Sequence, residues 1–275
     1  MSTTIDQVFV TTYDSEVKNA YQQMNTKLRK TVYLKTGVVG SKARFQKIGK
    51  GNAVQKTRHG VIPVMNATHS AVEAVLEDWY APDYSDMMDE IKTNIDERKV
   101  LAQTGAAALG RKVDSLIIDA MDLTTKVIAA DSLGLTEDKI SRAIEQFADV
   151  SEGEMFAAVG PHQWEELMAI DRFVNAQYVG DEYPMLKNTE ARLWRGIMWM
   201  RHTGLPLKTG TRSCYLYHKR SLGLAEGQEI ESKIDFIPEK DAHFINTRMS
   251  AGAVLIDDEG CVRIDCVDNA PISHS

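Results

Sequence analysis

Between residues 94 and 121 the apolar positions recur at three- and four-residue steps. Ile95, Ala102, Ala106, Leu109, Val113, Leu116, Ile117 and Ala120 fall on one face of a helix. Asn94 is suited to cap its start, and Glu97, three residues on, completes a capping box. The spacing predicts a single helix from Asn94 to Met121, about 40 Å long at about 1.5 Å per residue. Its middle is small: Gly105, Ala106, Ala107, Ala108 and Gly110. A helical Gly costs about 1 kcal/mol against Ala, so a close-packed neighbour is expected to offset it. An ordinary long core helix is the plainer reading of this stretch.

The rest of the chain follows other periods. Residues 1–30 begin with Val8-Phe9-Val10 and continue with Val17, Tyr21, Met24 and Leu28 at helix spacing. They hold too few apolar groups to fold alone and read as an arm that needs another surface. Over 31–72, Val32-Tyr33-Leu34 and Val61-Ile62-Pro63-Val64 read as strands flanking a glycine-punctuated polar segment. The prediction is a large hairpin with little core of its own. A two-stranded hairpin is marginal in water, so it is expected to lie on something else, in this subunit or another. Trp79-Tyr80-Ala81-Pro82 leads into a short amphipathic helix predicted from about Ser85, and Asp131-Ser-Leu-Gly134 closes the helical region.

Residues 136–228 alternate between helix and strand. Thr136 caps a helix carrying Ile140, Ala143, Ile144 and Phe147. Phe156–Val159 is a short buried strand stopped by Gly160-Pro161, and Trp164, Leu167 and Met168 begin the next helix. Ile197–Met200 and Arg212–His218 are further strands. Residues 229–268 alternate apolar and polar and read as antiparallel sheet, with a turn at Asp257-Asp258-Glu259-Gly260 and a last strand from Cys261 to Val267.

Charge changes the picture most. From Val17 to Val72 there is no Asp or Glu, but eleven bases: Lys18, Lys27, Arg29, Lys30, Lys35, Lys42, Arg44, Lys47, Lys50, Lys56 and Arg58. The sign then reverses through Glu73, Glu77, Asp78, Asp83, Asp86, Asp89, Glu90, Asp96 and Glu97. Three readings stay open. The blocks bind successive copies head to tail, giving rings or lattices; they pair within one subunit; or the basic block binds phosphates.

The net charge of −7 argues against wholesale coating of nucleic acid. No apolar run is long enough to predict a membrane span, and MSTTIDQVFV lacks the pattern of a secretory signal. Cys214, Cys261 and Cys266 form no C-x-x-C pair, and an odd number argues for reduced thiols. Gly49-Lys50-Gly51-Asn52 lacks the spacing of a phosphate-binding loop. None of the seven histidines pairs with another at a metal-ligand step. Asp257, Asp258 and Glu259 read as a turn rather than a cation loop. Ser132, Ser213 and Ser221 lie in no nucleophile elbow. No catalytic, cofactor-binding or metal-binding residue is predicted.

The order of elements is an arm, a long basic hairpin, an acidic linker, a long helix, an α/β region and returning antiparallel strands. It resembles the tailed-phage major capsid proteins of the Hong Kong 97 fold. Four stretches carry the likeness: Asp96–Arg98 with Thr104–Ile118, Ala157–Trp164, Gly196–Met200 with Gly204-Leu-Pro206, and Ile234–Ile256. The resemblance implies an α+β chain with an N-terminal arm (1–30), an E-loop (31–72), a peripheral domain with a spine helix (73–132 plus 229–256) and an axial domain (133–228 plus 257–275). It implies a non-enzymatic shell protein that self-assembles into hexamers and pentamers around phage double-stranded DNA in the virion, built in the host cytoplasm. The implied partners are its own copies, a separate scaffolding protein, a portal and a decoration protein. No cofactor is implied. Lysines of the E-loop are crosslinked in some members, but no partner asparagine can be placed here, and no crosslink is expected.

The two lines of reasoning meet in one expectation. Lys35, Lys42, Arg44, Lys47, Lys50, Lys56 and Arg58 of the hairpin face a neighbour, with Asp83, Asp86, Asp89 and Glu90 of that neighbour as the first counterparts. The competing functions are an encapsulin-type compartment and, from another class, a soluble α/β enzyme with a small-molecule site in 136–228. A nucleic-acid binder using the basic segment is a further alternative.

Overall fold

The computed structural model describes residues 26–86, 97–147, 154–174 and 191–271. Two sheets and one long helix organise them. The helix, α1, runs Glu97–Met121 and ends where the sequence predicts. Asn94 and Ile95 lie outside the described residues. Leu109, Val113, Ile117 and Ala120 are buried as the spacing requires, while Ala102, Ala106 and Leu116 are half-buried. The small middle meets the close neighbour it was expected to need. A Cβ on Gly105 would come within 2.8 Å of Thr247 Oγ1 and 3.3 Å of the Ala81 carbonyl.

Those neighbours belong to a four-stranded sheet ordered β1-β11-β12-β4. Its strands are β1 (Tyr33–Lys35), β4 (Glu77–Asp86), β11 (Leu222–Ile237) and β12 (Ala242–Leu255). β11 and β12 form the long antiparallel pair read from the sequence, with register shifts after Glu226 and after Gln228. Among the described residues β4 is an edge, paired only with β12. β4 continues to Asp86, past the Ser85 start predicted for a short helix, and the rest of that predicted helix lies outside the described residues. Pro82 is tolerated there because an edge strand has a side on which no ladder donor is needed.

The second sheet has seven strands: β5 (Val127–Ile128), β6 (Met155–Val159), β7 (Ala191–Trp194), β8 (Ile197–Arg201), β9 (Leu207–Lys208), β10 (Thr211–His218) and β13 (Cys261–Val267). β6 pairs with β8 in parallel and with β10 antiparallel. Helices α2 (Glu137–Glu145) and α3 (Pro161–Met168) flank it, followed by the single turn α4 (Asp171–Val174). Thr136 caps α2 through Lys139 N, as its position predicts. Pro161 sits in the first turn of α3, where its missing N–H costs nothing.

One apolar core joins the sheets to the helix. Val113, Ile117 and Met121 of α1 share it with Trp199, Tyr215, Leu216 and Leu222. Cys214, Cys261 and Cys266 are buried thiols in β10 and β13.

The third sheet is the hairpin, and it departs from the sequence reading. Its strands are β2 (Lys42–Ile48) and β3 (His69–Val75), paired from Lys42 opposite Val75 to Ile48 opposite His69. Val61–Val64 is not a strand: residues 49–68 contain no strand or helix. Pro63 interrupts that run and removes a ladder donor. Tyr33–Lys35 is a strand, but it pairs in parallel with Gly223–Ala225 of β11 rather than within the hairpin. The hairpin also continues to Val75, past residue 72.

Candidate assembly surface

The root of the hairpin is built into the body of its own chain. Along β2 the side chains alternate, with Ala43 and Phe45 buried and Lys42, Arg44 and Gln46 exposed. The buried side, with Ala74 of β3, packs on Ala225, Val254 and Ile256 in a second small core. Phe45 lies against Gly223, where a Cβ would come within 2.8 Å of its ring, and Tyr33 meets its edge at 6.0 Å between ring centres. Backbone bonds from Val38 N to Glu226 O (3.1 Å) and Leu76 N to Ser41 O (2.9 Å) close the root.

Above this root the lysines find carboxylates in the same chain. Lys42 pairs with Glu73 across the hairpin at 3.2 Å. Lys47 Nζ lies 2.6 Å from Asp257 Oδ1, and Lys50 Nζ lies 2.9 Å from Glu259 Oε2. Asp257 caps, and Glu259 lies within, the 3₁₀ turn Asp258–Gly260 that joins β12 to β13. That turn is fixed to the body on its other side. Asp258 accepts from Thr124 Oγ1 (2.8 Å) and Thr125 N (2.9 Å). Burial works to raise the Asp258 carboxyl, but the hydrogen bond donated by Thr125 Oγ1, with those from Thr125 N and Thr124 Oγ1, outweighs it and holds the group below the usual carboxylate range.

The remaining predicted bases are placed differently. Lys35 sits 5.9 Å over the Phe45 ring and donates to the Arg44 carbonyl at 3.3 Å. Arg44, Lys56 and Arg58 have no carboxylate partner among the described residues. Asp83 and Asp86 lie exposed on β4, Asp83 accepting from Tyr84 N at 2.8 Å. Asp89 and Glu90 fall outside the described residues. Of the three open readings of the charge blocks, pairing within one subunit therefore holds for Lys42, Lys47 and Lys50. Their partners are Glu73, Asp257 and Glu259 rather than the run from Asp83. The reason is tertiary: β12 returns beneath the hairpin root, so the turn after it comes alongside β2. Nothing in the sequence brings residues 47 and 257 together.

Beyond Lys50 the tip carries apolar side chains in the open: Val54, Val61, Ile62, Val64 and Met65 are all more than half exposed.

The arm enters the body at a buried polar node that sequence reasoning missed. Asp114 of α1 accepts from the backbone N–H groups of Lys27 (3.0 Å) and Leu28 (3.1 Å). His202, just past β8, faces it with Nε2 at 3.2 Å from Oδ2. Gly204 N–H donates to Nδ1 of the same ring, which leaves Nε2–H to donate to Asp114. Arg29, one residue past Leu28, grips Glu226 through two bonds of 2.7 and 2.6 Å, and this pairing keeps its guanidinium firmly charged against partial burial.

Among the described residues no group of three or more His, Cys, Asp or Glu side chains gathers to hold a metal ion, and no helix is long and apolar enough to cross a membrane.

The sequence matches the family model described as phage capsid protein over residues 5–268. No curated protein matches it. Among solved structures it is similar to the capsid of Ralstonia phage GP4, at 12% identity, 98% of this chain and 99% of that one covered, and a TM-score of 0.72. It is similar to the capsid of Helicobacter pylori bacteriophage KHP30, at 10% identity, 92% and 93% coverage and a TM-score of 0.73. For the capsid of cyanophage P-SCSP1u the figures are 14%, 94%, 92% and 0.66. With the family matched over residues 5–268 and the α+β fold shared over 92–98% of its length, the chain belongs to the phage capsid protein family and is a major capsid protein of the Hong Kong 97 fold.

Proposed function

We propose that the chain acts structurally, without enzymatic activity, assembling through hexamers and pentamers into a closed shell around phage double-stranded DNA. The four-stranded sheet with α1 serves as the peripheral domain, and the seven-stranded sheet with α2 and α3 as the axial domain. This division moves residues 222–228 to the peripheral side and 127–128 to the axial side, relative to the boundaries read from the sequence. A scaffolding protein, a portal and a decoration protein are its partners in that assembly.

The observation that carries this reading is the hairpin. Its root is anchored by Phe45, while its tip presents Val54, Val61, Ile62, Val64 and Met65 to solvent beside Lys56 and Arg58. An apolar tip on a fixed stalk fits a surface supplied by another copy. Burial there contributes about 25 cal/mol per Å². Exposed ion pairs between Lys35, Arg44, Lys56 and Arg58 of the hairpin and Asp83, Asp86, Asp89 and Glu90 of a neighbour add only about 0–1 kcal/mol each, so charge sets register and direction. Repeated over a closed shell, such contacts sum to a stable container.

Electron microscopy and light scattering of the full chain, expressed alone and with a scaffolding protein, test this. Closed particles in the megadalton range are expected. Monomers or dimers under both conditions overturn the reading.

A further inference from the structure

Where the hairpin stands against its own body, a cleft of about 440 Å³ opens between β2, β1 and the turn before β11. That size falls in the range of about 300–1,000 Å³ common to small-molecule sites. Lys35 of β1, Arg44 of β2 and Arg220 of the turn line it, and among the described residues no carboxylate does. All three cations are exposed, and none has a carboxylate partner among the described residues. Bases beside them are already satisfied: Lys42 by Glu73, Lys47 by Asp257, and Lys219 by Glu154 at 2.7 Å. The fold therefore gathers three left-over cations around one opening, and it brings Arg220 there from outside the basic run. Their supports are fixed. Lys35 donates to the Arg44 carbonyl, Phe45 anchors the root beneath, and the Arg220 backbone N–H is held by His218 Nδ1 at 3.1 Å. Like charges held at one mouth repel one another until an anion enters.

The chemistry of the cleft favours a compact polyphosphate. A single carboxylate answers only one of the three positive charges. A triphosphate answers all of them and offers oxygens to two guanidinium forks and an ammonium at once. An extended nucleic acid strand would run on over a chain whose net charge is −7, whereas a short run of phosphates ends inside the cleft. Tyr33, 52% exposed, lines the same cleft together with Gln46. An exposed aromatic ring can stack on a nucleobase, and a side-chain amide can bond a base edge. We propose that the Lys35–Arg44–Arg220 cleft binds a short polyphosphate, either free or as the tail of a nucleoside triphosphate. Arg44 belongs to the hairpin, and Lys35 and Arg220 belong to the body, so the bound anion ties one to the other. This goes beyond the shell reading. Because Lys35 and Arg44 also face a neighbour in the shell, the anion is a ligand of the unassembled chain.

Calorimetric titration of the full chain, kept dilute enough to stay unassembled, tests this with sodium triphosphate, ATP and succinate. Triphosphate and ATP should bind, and succinate should bind at least tenfold more weakly. Arg44→Gln with Arg220→Gln should weaken triphosphate binding at least tenfold, with helical circular dichroism unchanged. In the original chain, triphosphate should slow hydrogen exchange over 42–48 several-fold and leave α1 unaffected, which keeps the test decisive if the double variant misfolds. Tyr33→Ala separates the two sources of phosphate. A several-fold loss for ATP alone supports a nucleotide, and an equal effect on both supports free polyphosphate. Succinate binding as tightly as triphosphate overturns the proposal. So does triphosphate binding that survives the double substitution, or exchange over 42–48 that saturating triphosphate does not move. Closed particles from a chain that binds neither ATP nor triphosphate would overturn it too, and would leave the shell reading standing.

Discussion

Lys47 Nζ and Asp257 Oδ1 stand 2.6 Å apart, joining the middle of the hairpin to the turn between β12 and β13. With the Lys50–Glu259 pair it forms a latch above the apolar root. Both Lys47 and Asp257 are about one-third exposed, so water and salt weaken the attraction, and roughly 0.2–1 kcal/mol is the range for such a pair. Lys47→Ala should therefore leave the thermal midpoint within a few degrees of the original. The effect should instead be local, with hydrogen exchange over 42–48 and 69–75 speeding several-fold while α1 is unchanged. Uniform exchange in both places would show that the latch carries no local stability.

The root responds to shape rather than charge. A Cβ on Gly252 of β12 would fall onto the Val75 carbonyl oxygen, a backbone atom that no rotamer change can move aside. Gly252→Ala is expected to cost about 1–3 kcal/mol, the usual range for overpacking. It should also loosen the junction from Val75 to Leu76. Chemical denaturation together with limited proteolysis between residues 49 and 76 reads both effects. A neutral substitution would show that the β12–β3 contact is slack.

Asp114 holds the arm's entry. Replacing it with Ala leaves the Lys27 and Leu28 N–H groups and the His202 ring without their acceptor. Removing one partner from a buried charged network costs about 3–5 kcal/mol, so Asp114→Ala should lower the melting temperature by many degrees. Asp114→Asn keeps one acceptor oxygen and should cost less. Equal melting temperatures for the two variants would contradict the assigned geometry.

The pH dependence follows from Asp268. Arg212 donates to it through Nε at 2.6 Å and Nη2 at 3.0 Å, and that pairing holds the carboxyl below the usual carboxylate range despite burial. A carboxyl whose native pKa is depressed adds stability that is fully present above the unfolded value of about 4 and is lost as pH falls through the native value. Asp131, held down chiefly by its hydrogen bond from Lys139, acts in the same direction. These two carboxylates should contribute evenly around neutrality and withdraw their stabilisation as pH falls below about 4. Arg212→Gln should lose about 1.5–3 kcal/mol at neutral pH, the range for charge-assisted hydrogen bonds. It should also flatten the acid limb in denaturation midpoints taken from pH 3 to 7. A parallel acid limb in the variant would remove Asp268 from the account.

The thiols should be silent. Burial pushes the Cys261 thiol far up, and Cys214 and Cys266 are buried with it. A thiolate is the reactive form, so a maleimide should label none of the three within minutes in the native chain and all three after unfolding. Fast labelling of one thiol would place it at the surface.

Local patterns settled a large part of this protein. The end of α1 at Met121, the Thr136 cap, the strand stopped at Gly160-Pro161 and the β11–β12 pair follow from apolar spacing, capping chemistry and turn residues within a few positions of each other. The order of those elements was enough to mark the capsid likeness. What the sequence could not decide was which distant segments meet. The run Lys42–Ile48 has few apolar residues and little strand character, yet it is a strand because Phe45 finds Gly223 and Ile256. Val61–Val64 has the stronger β propensity and is not a strand, because Pro63 breaks its ladder and nothing among the described residues pairs with it. The basic block was legible as charge, but its pairing of Lys47 with Asp257 and its meeting with Arg220 were not. Coulomb attraction depends on distance in space, and the path of β12 beneath the hairpin sets that distance. Local chemistry wrote the elements; long-range packing chose which of their charges were satisfied within the chain and which were left facing outward.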